Sequence, residues 1–325
     1  MRILSGVQPS GRLHLGNYFG AIRQHVALQD QGEAFYFIAD FHALTSVQDR
    51  QVLRDNTRDV AIAYLALGLD PARATFFRQS DVPEVTELAW ILSTVTGMGL
   101  LERAHSYKDK IARGIKPSVG LFTYPALMAA DILIYDSNVV PVGEDQVQHI
   151  EITRDMAVHF NDVFKGDYLV LPEARLSESP KIPGTDGQKM SKSYGNAIEI
   201  FATGKELKKS VMGIVSDSKT LEEPKDPATC NVFQIYKLFL SKLEREALEA
   251  RYRAGGLGYG DVKKELLAAV ESYFAPYRAE RERLLAAPQE VEAVLADGAR
   301  RARTIARATL ARVRDACGLP ERPAP

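Results

Sequence analysis

Arg2-Ile3-Leu4-Ser5-Gly6-Val7-Gln8-Pro9-Ser10-Gly11-Arg12-Leu13-His14-Leu15-Gly16-Asn17 is the stretch on which the fold turns. Ile3 to Val7 is a short apolar run and reads as a strand. It breaks at Pro9 and Gly11, and a helix is expected to begin near Gly16. Backbone N–H groups at a helix start have no partner within the helix, and the helix dipole draws negative charge toward them. Gly11 and Gly16 would let the backbone approach a ligand closely. His14 and Asn17 can donate hydrogen bonds to phosphate oxygens. The unit therefore suits a phosphate, although a glycine turn entering a helix also occurs as plain architecture.

Working outward, further strand-like runs follow at 33–40, with Phe35-Tyr36-Phe37-Ile38 apolar throughout, at 74–79, and at 138–142, where Pro141 suggests a strand end. Between them lie helical patterns. Leu53, Thr57, Val60, Ala61, Tyr64 and Leu67 share one face, with Gly68 placed as a cap, and 144–159 repeats the spacing. Strands alternating with helices predict a Rossmann-like parallel α/β sheet, with its ligand site beyond the carboxyl ends of the strands. An irregular stretch rich in Pro and Gly runs from about 175 to 193. Past residue 200 only helical periodicity remains, over 201–214, 232–240, 243–254, 261–287 and 289–317. The expected organisation is a catalytic domain over 1–186, a loop and linker over 187–198, and an all-α domain over 199–325.

At 325 residues, 46% hydrophobic and 26% charged, the chain can bury a sizeable core. Its net charge of -1 rules out a globally basic nucleic-acid binder and leaves room only for a local patch. Arg300, Arg301, Arg303, Arg307, Arg312 and Arg314 on one expected helix are the candidate, with a solvated helix face as the alternative. Two distant cysteines, Cys230 and Cys317, match no metal-ligand spacing and suggest a reducing compartment. No secretory h-region or membrane-spanning run is seen, so a cytoplasmic protein without a membrane partner is expected.

The second chemical motif is Lys189-Met190-Ser191-Lys192-Ser193, inside the irregular stretch. Two lysines three apart on a Gly-flanked loop can close over a polyphosphate and stabilise charge as it develops. Alone, it reads equally as an exposed basic loop. Together, His14-Leu15-Gly16-Asn17 and Lys189-Met190-Ser191-Lys192-Ser193, in this order, resemble the two signatures of the class I aminoacyl-tRNA synthetases. The second matches the family pattern in full; the first carries Asn17 where the pattern ends in His. The preceding Gln8-Pro9-Ser10-Gly11 is similar to the tryptophanyl members. After the lysine loop, Tyr194-Gly195 departs from the pair more usual in those members.

A third segment, Leu121-Phe122-Thr123-Tyr124-Pro125-Ala126-Leu127-Met128-Ala129-Ala130-Asp131-Ile132-Leu133, reads as a helix. It sets Tyr124, Met128 and Asp131 on one face. That face offers an aromatic ring, a polarisable thioether and one acceptor, which suits an indole with its single N–H. A phenol would want a donor as well as an acceptor. The segment is similar to the tryptophanyl signature, and strand one lacks the Tyr usual in bacterial tyrosyl members. A fourth segment, Val140-Pro141-Val142-Gly143-Glu144-Asp145-Gln146, ends a strand and opens a helix with two acidic residues, for which helix capping is the plain account.

The resemblance, which covers 2 to about 318, implies more. ATP would be bound by Gln8, Pro9, Ser10, His14, Gly16, Asn17, Lys110, Gly143, Glu144, Asp145, Ile182, Lys189, Met190, Ser191, Lys192 and Ser193. Tryptophan would be bound by Tyr124, Met128, Asp131 and Gln146. Lys189, Lys192, Gln8 and Asn17 would carry catalysis. ATP is the co-substrate, Mg²⁺ would accompany its phosphates with no protein metal site, tRNA(Trp) is the implied partner, and a homodimer is implied. His42, at the end of strand two, reads equally as a packed or functional residue. A tyrosyl enzyme, a small-molecule nucleotidyltransferase and a non-catalytic synthetase-like protein are the rival readings.

Overall fold

The computed structural model describes residues 1–104, 118–176 and 182–321, with the side chain of Asp145 also outside the description. Five parallel strands organise it: β1 (Arg2–Val7), β2 (Glu33–Ile38), β3 (Ala74–Arg78), β4 (Val139–Val142) and β5 (Glu173–Leu176). Their order across the sheet is β3-β2-β1-β4-β5. β1 and β2 pair in register from Arg2 opposite Glu33 to Val7 opposite Ile38. On its other side β1 meets β4 at Ile3 opposite Val139. Chain order therefore reverses between β1 and β4, and a parallel sheet opens a crevice at that point, beyond its carboxyl ends.

Ala34 to Ile38 of β2 and Ala74 to Phe77 of β3 are buried because helices cover both of their faces. One face packs under a helical segment α1 over 15–28 and α2 (Arg50–Ala66). The other packs under α3 (Glu84–Val95), α4 (Val119–Leu133) and α5 (Val147–Phe164). The Asp49 carboxylate caps α2 by accepting from the N–H groups of Gln51 and Val52, and Gly68 follows its end with φ +102°. β5 is an addition to the sequence reading, which places 175 at the start of an irregular stretch. All four of its residues are exposed, so no hydrophobic pattern marks it, and only pairing with β4 makes it a strand. α3 is likewise absent from the sequence reading.

After the lysine loop the chain is helical: α6 (Gly204–Met212), α7 (Asn231–Tyr236), α8 (Lys242–Ala254), α9 (Tyr259–Ala286) and α10 (Pro288–Ala316). These match the expected positions within a few residues. Leu207, Val232, Leu266 and Phe274 join the same buried cluster as Leu13, Leu15 and Tyr18, so the helical part is built onto the first loop and its helix. Among the described residues no helix is long and apolar enough to cross a membrane.

α10 leaves its helical neighbours and lies along β3, the edge strand. Edge strands expose unpaired backbone groups, and α10 covers this one: the Arg301 guanidinium donates to the carbonyls of Pro71 (2.7 Å) and Ala74 (3.0 Å). This alters the reading of the arginine row. Arg303 and Arg307 both bond the buried carboxylate of Glu84 on α3. Burial would raise that carboxyl, but Arg303, its own backbone N–H and Arg307 outweigh it and hold it below the usual range. Arg312 reaches Asp136 and the Tyr168 carbonyl, Arg314 reaches Glu87, and Arg300 pairs with Asp297. Arg301, Arg303, Arg307, Arg312 and Arg314 thus tie α10 to neighbouring elements, whereas Arg300 pairs within α10 and stays largely exposed.

The approach is close enough to require glycine. A Cβ on Gly298 would fall well inside the contact distance of the Phe76 backbone carbonyl. Gly298→Ala is expected to lift α10 from β3 and destabilise the chain by roughly 1–3 kcal/mol, as overpacking does. Urea denaturation at pH 7 reads this directly; an unchanged midpoint would mean that α10 does not pack there.

Candidate functional site

The main cavity, about 550 Å³, opens at the β1/β4 switch point. Leu4 to Gln8 line it from β1, and Val140 to Gly143 from β4. Its floor is α4, whose start is capped by Ser118, the hydroxyl accepting from the Leu121 N–H at 3.1 Å. Tyr124, Met128 and Asp131 all face the cavity, as their spacing predicts, and Gln146 enters from the turn before α5.

Asp131 is 1% exposed and does not stand alone. Gln79 Nε2 donates to both of its carboxyl oxygens at 2.8 Å, and His42 Nε2 lies 2.8 Å from one of them. Gln79 is itself locked. Its Oε1 accepts from the backbone N–H of Phe41 (3.1 Å) and His42 (3.4 Å), which turns its NH₂ toward Asp131. Burial pushes the Asp131 carboxyl above the usual range, while His42 and Gln79 pull it back. A carboxylate has about four acceptor positions, so one acceptor direction remains for a ligand N–H. The sequence reading leaves His42 undecided and gives Gln79 no role. The only signal for Gln79 is a polar residue ending an apolar strand. Tyr124 bonds His149 Nε2 at 3.1 Å, and that histidine also lines the cavity.

His25, which also lines the cavity, stacks on Tyr36 and meets Tyr64 Oη at 3.2 Å. Burial lowers its pKa to about 4. A histidine held neutral in the fold takes up a proton on unfolding, so stability falls as pH drops from the unfolded value of 6.5 toward 4. The full effect is on the order of 3 kcal/mol. His25→Gln is expected to flatten this part of the stability–pH profile, measured by urea unfolding from pH 7 to 4; identical profiles would contradict the assignment.

The nucleotide loops sit beside the cavity. Leu15 N–H donates to the Ile198 carbonyl at 3.0 Å and Ile200 N–H to the Leu13 carbonyl at 3.1 Å, so the chain leaving the lysine loop is stitched onto the first motif. Lys192 Nζ donates to the Ser10 carbonyl at 3.0 Å. Burial lowers its pKa, against the nearby charges of Glu199 and Asp59. Met190 is buried and Lys189 is exposed. Ser191 and Ser193 hydroxyls are 2.8 Å apart. Ile182 is buried, its carbonyl accepting from the Met190 N–H.

Asn17 and His14 are held together at the start of α1. Asn17 Oδ1 accepts from the His14 N–H at 3.0 Å, so it caps α1. The His14 ring is buried, and burial, then the Lys192 charge, lower its pKa to about 4, which keeps it neutral at pH 7. Its Nδ1 has no hydrogen-bond partner among the described residues. Gly11 has φ +92°, with Lys192 Nζ nearby, and a Cβ on Gly16 would sit 2.9 Å from the His14 ring. Of the first-loop residues assigned to ATP, Gln8 lines the cavity; Pro9 is buried, and Ser10 lies at the Lys192 contact. Gly143 lines the cavity and Glu144 is exposed beside it. Lys110 and the side chain of Asp145 lie outside the described part. Among the described residues no group of three His, Cys, Asp or Glu could hold a metal ion.

A 3-2-1-4-5 parallel sheet with a basic loop folded over a glycine turn, next to a mostly apolar cavity bearing one buried carboxyl, defines a nucleotide-binding α/β enzyme of the Rossmann type. Residues 1–275 match the family described as tRNA synthetases class I (W and Y), and the chain belongs to that family. The tryptophan–tRNA ligase of Rhodopirellula baltica is 56% identical over 320 residues, covering 98% of this chain and 100% of that one. The tryptophanyl-tRNA synthetase of Campylobacter jejuni, solved with ADP and tryptophan, is 51% identical with a TM-score of 0.93, covering 98% and 100% of the two chains. That of Mycoplasma pneumoniae is 32% identical with a TM-score of 0.82, covering 98% of each.

Proposed function

We infer that this chain activates L-tryptophan with ATP, giving tryptophanyl-adenylate and pyrophosphate, and then transfers the tryptophan to the 3′ end of tRNA(Trp). The observation that carries this is Asp131: one buried carboxyl, held by two donors behind it, at the floor of a cavity lined by Tyr124 and Met128. An indole N–H fits the remaining acceptor direction. A phenol O–H would bring its own acceptor lone pairs with no donor assigned to them.

Tryptophan's carboxylate oxygen attacks the α-phosphorus of ATP. The bond from that phosphorus to the bridging oxygen breaks, and pyrophosphate leaves. The nucleophile is already ionised, so no general base is required. The catalytic contribution is positioning and stabilisation of charge on the leaving group. Lys189 and Lys192 supply the charge, and Gln8, Ser10, His14 and Asn17 shape the turn that receives the phosphates. Gly143, Glu144 and Asp145 hold the ribose, and Gln146 holds the α-amino group. A 3′-terminal ribose hydroxyl of the tRNA then attacks the adenylate carbonyl, and AMP leaves.

Mg²⁺ would travel on the phosphate oxygens. The donors at the loops, lysine, asparagine and serine, fit phosphate and not a bare cation; when bound, the ion offsets charge on the β and γ oxygens. The catalytic unit is 1–186, with 187–198 as its loop and 199–325 as the tRNA-contacting part. Exposed Trp90, Met98 and Val119, on neighbouring elements, support a homodimer. We place the reaction in the cytoplasm.

Charging of tRNA(Trp) with labelled tryptophan tests the whole reaction. Charged tRNA is expected. Adenylate without transfer would reduce the function to nucleotidyl transfer, and neither product would favour a non-catalytic role.

A further inference from the structure

We propose that Asn196, outside the lysine motif, is the positioning residue that sets the conformation of that motif. Its side chain is buried and makes three hydrogen bonds, all within the loop. Nδ2 donates to Asp186 Oδ1 at 2.7 Å and to the Lys189 carbonyl at 3.2 Å. Oδ1 accepts from the Ser191 N–H at 2.8 Å. The orientation of the amide is fixed, because a backbone N–H must meet its oxygen and a carbonyl must meet its nitrogen. One planar group therefore ties the carbonyl of Lys189 to the N–H of Ser191 and anchors both to Asp186 before the motif.

The backbone of Asn196 adds a fourth tie, its carbonyl accepting from the Thr185 N–H at 2.9 Å. Gly184 leaves the space it fills: a Cβ there would overlap the Asn196 carboxamide. The carboxamide thus holds the backbone on both sides of Met190, at the Lys189 carbonyl and the Ser191 N–H. Lys189 stays exposed, while Lys192 reaches Ser10. A carboxamide is required because the position needs two donors and one acceptor at once. Aspartate, of the same size, has acceptors only and would face the Asp186 carboxylate, which the Asn196 contact holds below the usual carboxylate range.

The inference rests on the proposed role of Lys189 and Lys192 toward ATP, and the test separates the two. Asn196→Asp, Asp186→Asn, the double variant and Lys192→Ala are compared in single-turnover adenylate formation, with tryptophan affinity read by calorimetry and folding by thermal melting. Asn196→Asp is expected to slow adenylate formation roughly ten- to hundredfold, the size of effect a small misplacement produces, with tryptophan affinity kept. The double variant reverses the 186–196 hydrogen bond, the amide introduced at position 186 now donating, and is expected to recover part of that loss. Asn196→Asp at full rate, loss of tryptophan binding in parallel with rate, or no recovery in the double variant would each overturn the proposal. If Lys192→Ala is also unimpaired, the phosphate assignment itself fails; if Lys192→Ala is slow and Asn196→Asp is not, only the role of Asn196 fails.

Discussion

Replacing Asp131 with alanine is expected to lower tryptophan activation by roughly a hundredfold or more while ATP affinity stays near that of the native chain. Two losses combine. The indole N–H loses an acceptor in a buried site, and Gln79 and His42 lose the carboxyl they point at. Each buried donor left unmatched costs about 1–3 kcal/mol, and sites built around a hydrogen bond discriminate steeply against its absence. Asp131→Asn sharpens the test. Gln79 would claim the amide oxygen and turn the new NH₂ toward the cavity, donor against donor, so the variant is expected to be impaired despite equal volume. ATP affinity should survive because the lysine loop and the glycine turn it contacts lie beside the cavity and make no contact with Asp131. Calorimetric titration of each ligand, beside the activation rate, checks this; equal loss of ATP and tryptophan binding would remove Asp131 from indole recognition.

Lys192→Ala is expected to slow single-turnover adenylate formation by roughly 10²–10³-fold, the usual consequence of removing a charge aimed at the developing anion. Tryptophan affinity should change little, since Lys192 contacts the first loop and not the cavity. The ammonium is half-buried beside Ser10, and its lowered pKa reflects that burial. Closure on ATP would give it phosphate oxygens in place of one carbonyl. An unchanged single-turnover rate would remove Lys192 from the chemistry.

How far the sequence can be read depends on what marks each element. β1 to β4 are legible because helices bury them on both faces, which leaves apolar runs such as Phe35-Tyr36-Phe37-Ile38. β5 is not, since Glu173–Leu176 is exposed and owes its conformation to a neighbour. The face of Tyr124, Met128 and Asp131 follows from helical spacing and is found lining the cavity. Its support does not follow: Gln79 lies 52 positions from Asp131, and no local pattern links them. The arginines of α10 show the opposite case. Their charge is plain in the sequence, but Glu84 and the carbonyls of Pro71 and Ala74, which occupy Arg301, Arg303 and Arg307, are visible only in the fold. Asn17 is conspicuous as a motif residue, and its cap on His14 is a short-range contact that the sequence reading passes over in favour of phosphate.

The most direct test of tryptophan activation is ATP–pyrophosphate exchange with each amino acid in turn, tryptophan and tyrosine first. Exchange that depends on tryptophan, with tyrosine at background, is the predicted result and ties the cavity around Asp131 to its substrate. Exchange with tyrosine would keep the fold and contradict the pocket argument, and no exchange with any amino acid would contradict the activation step itself.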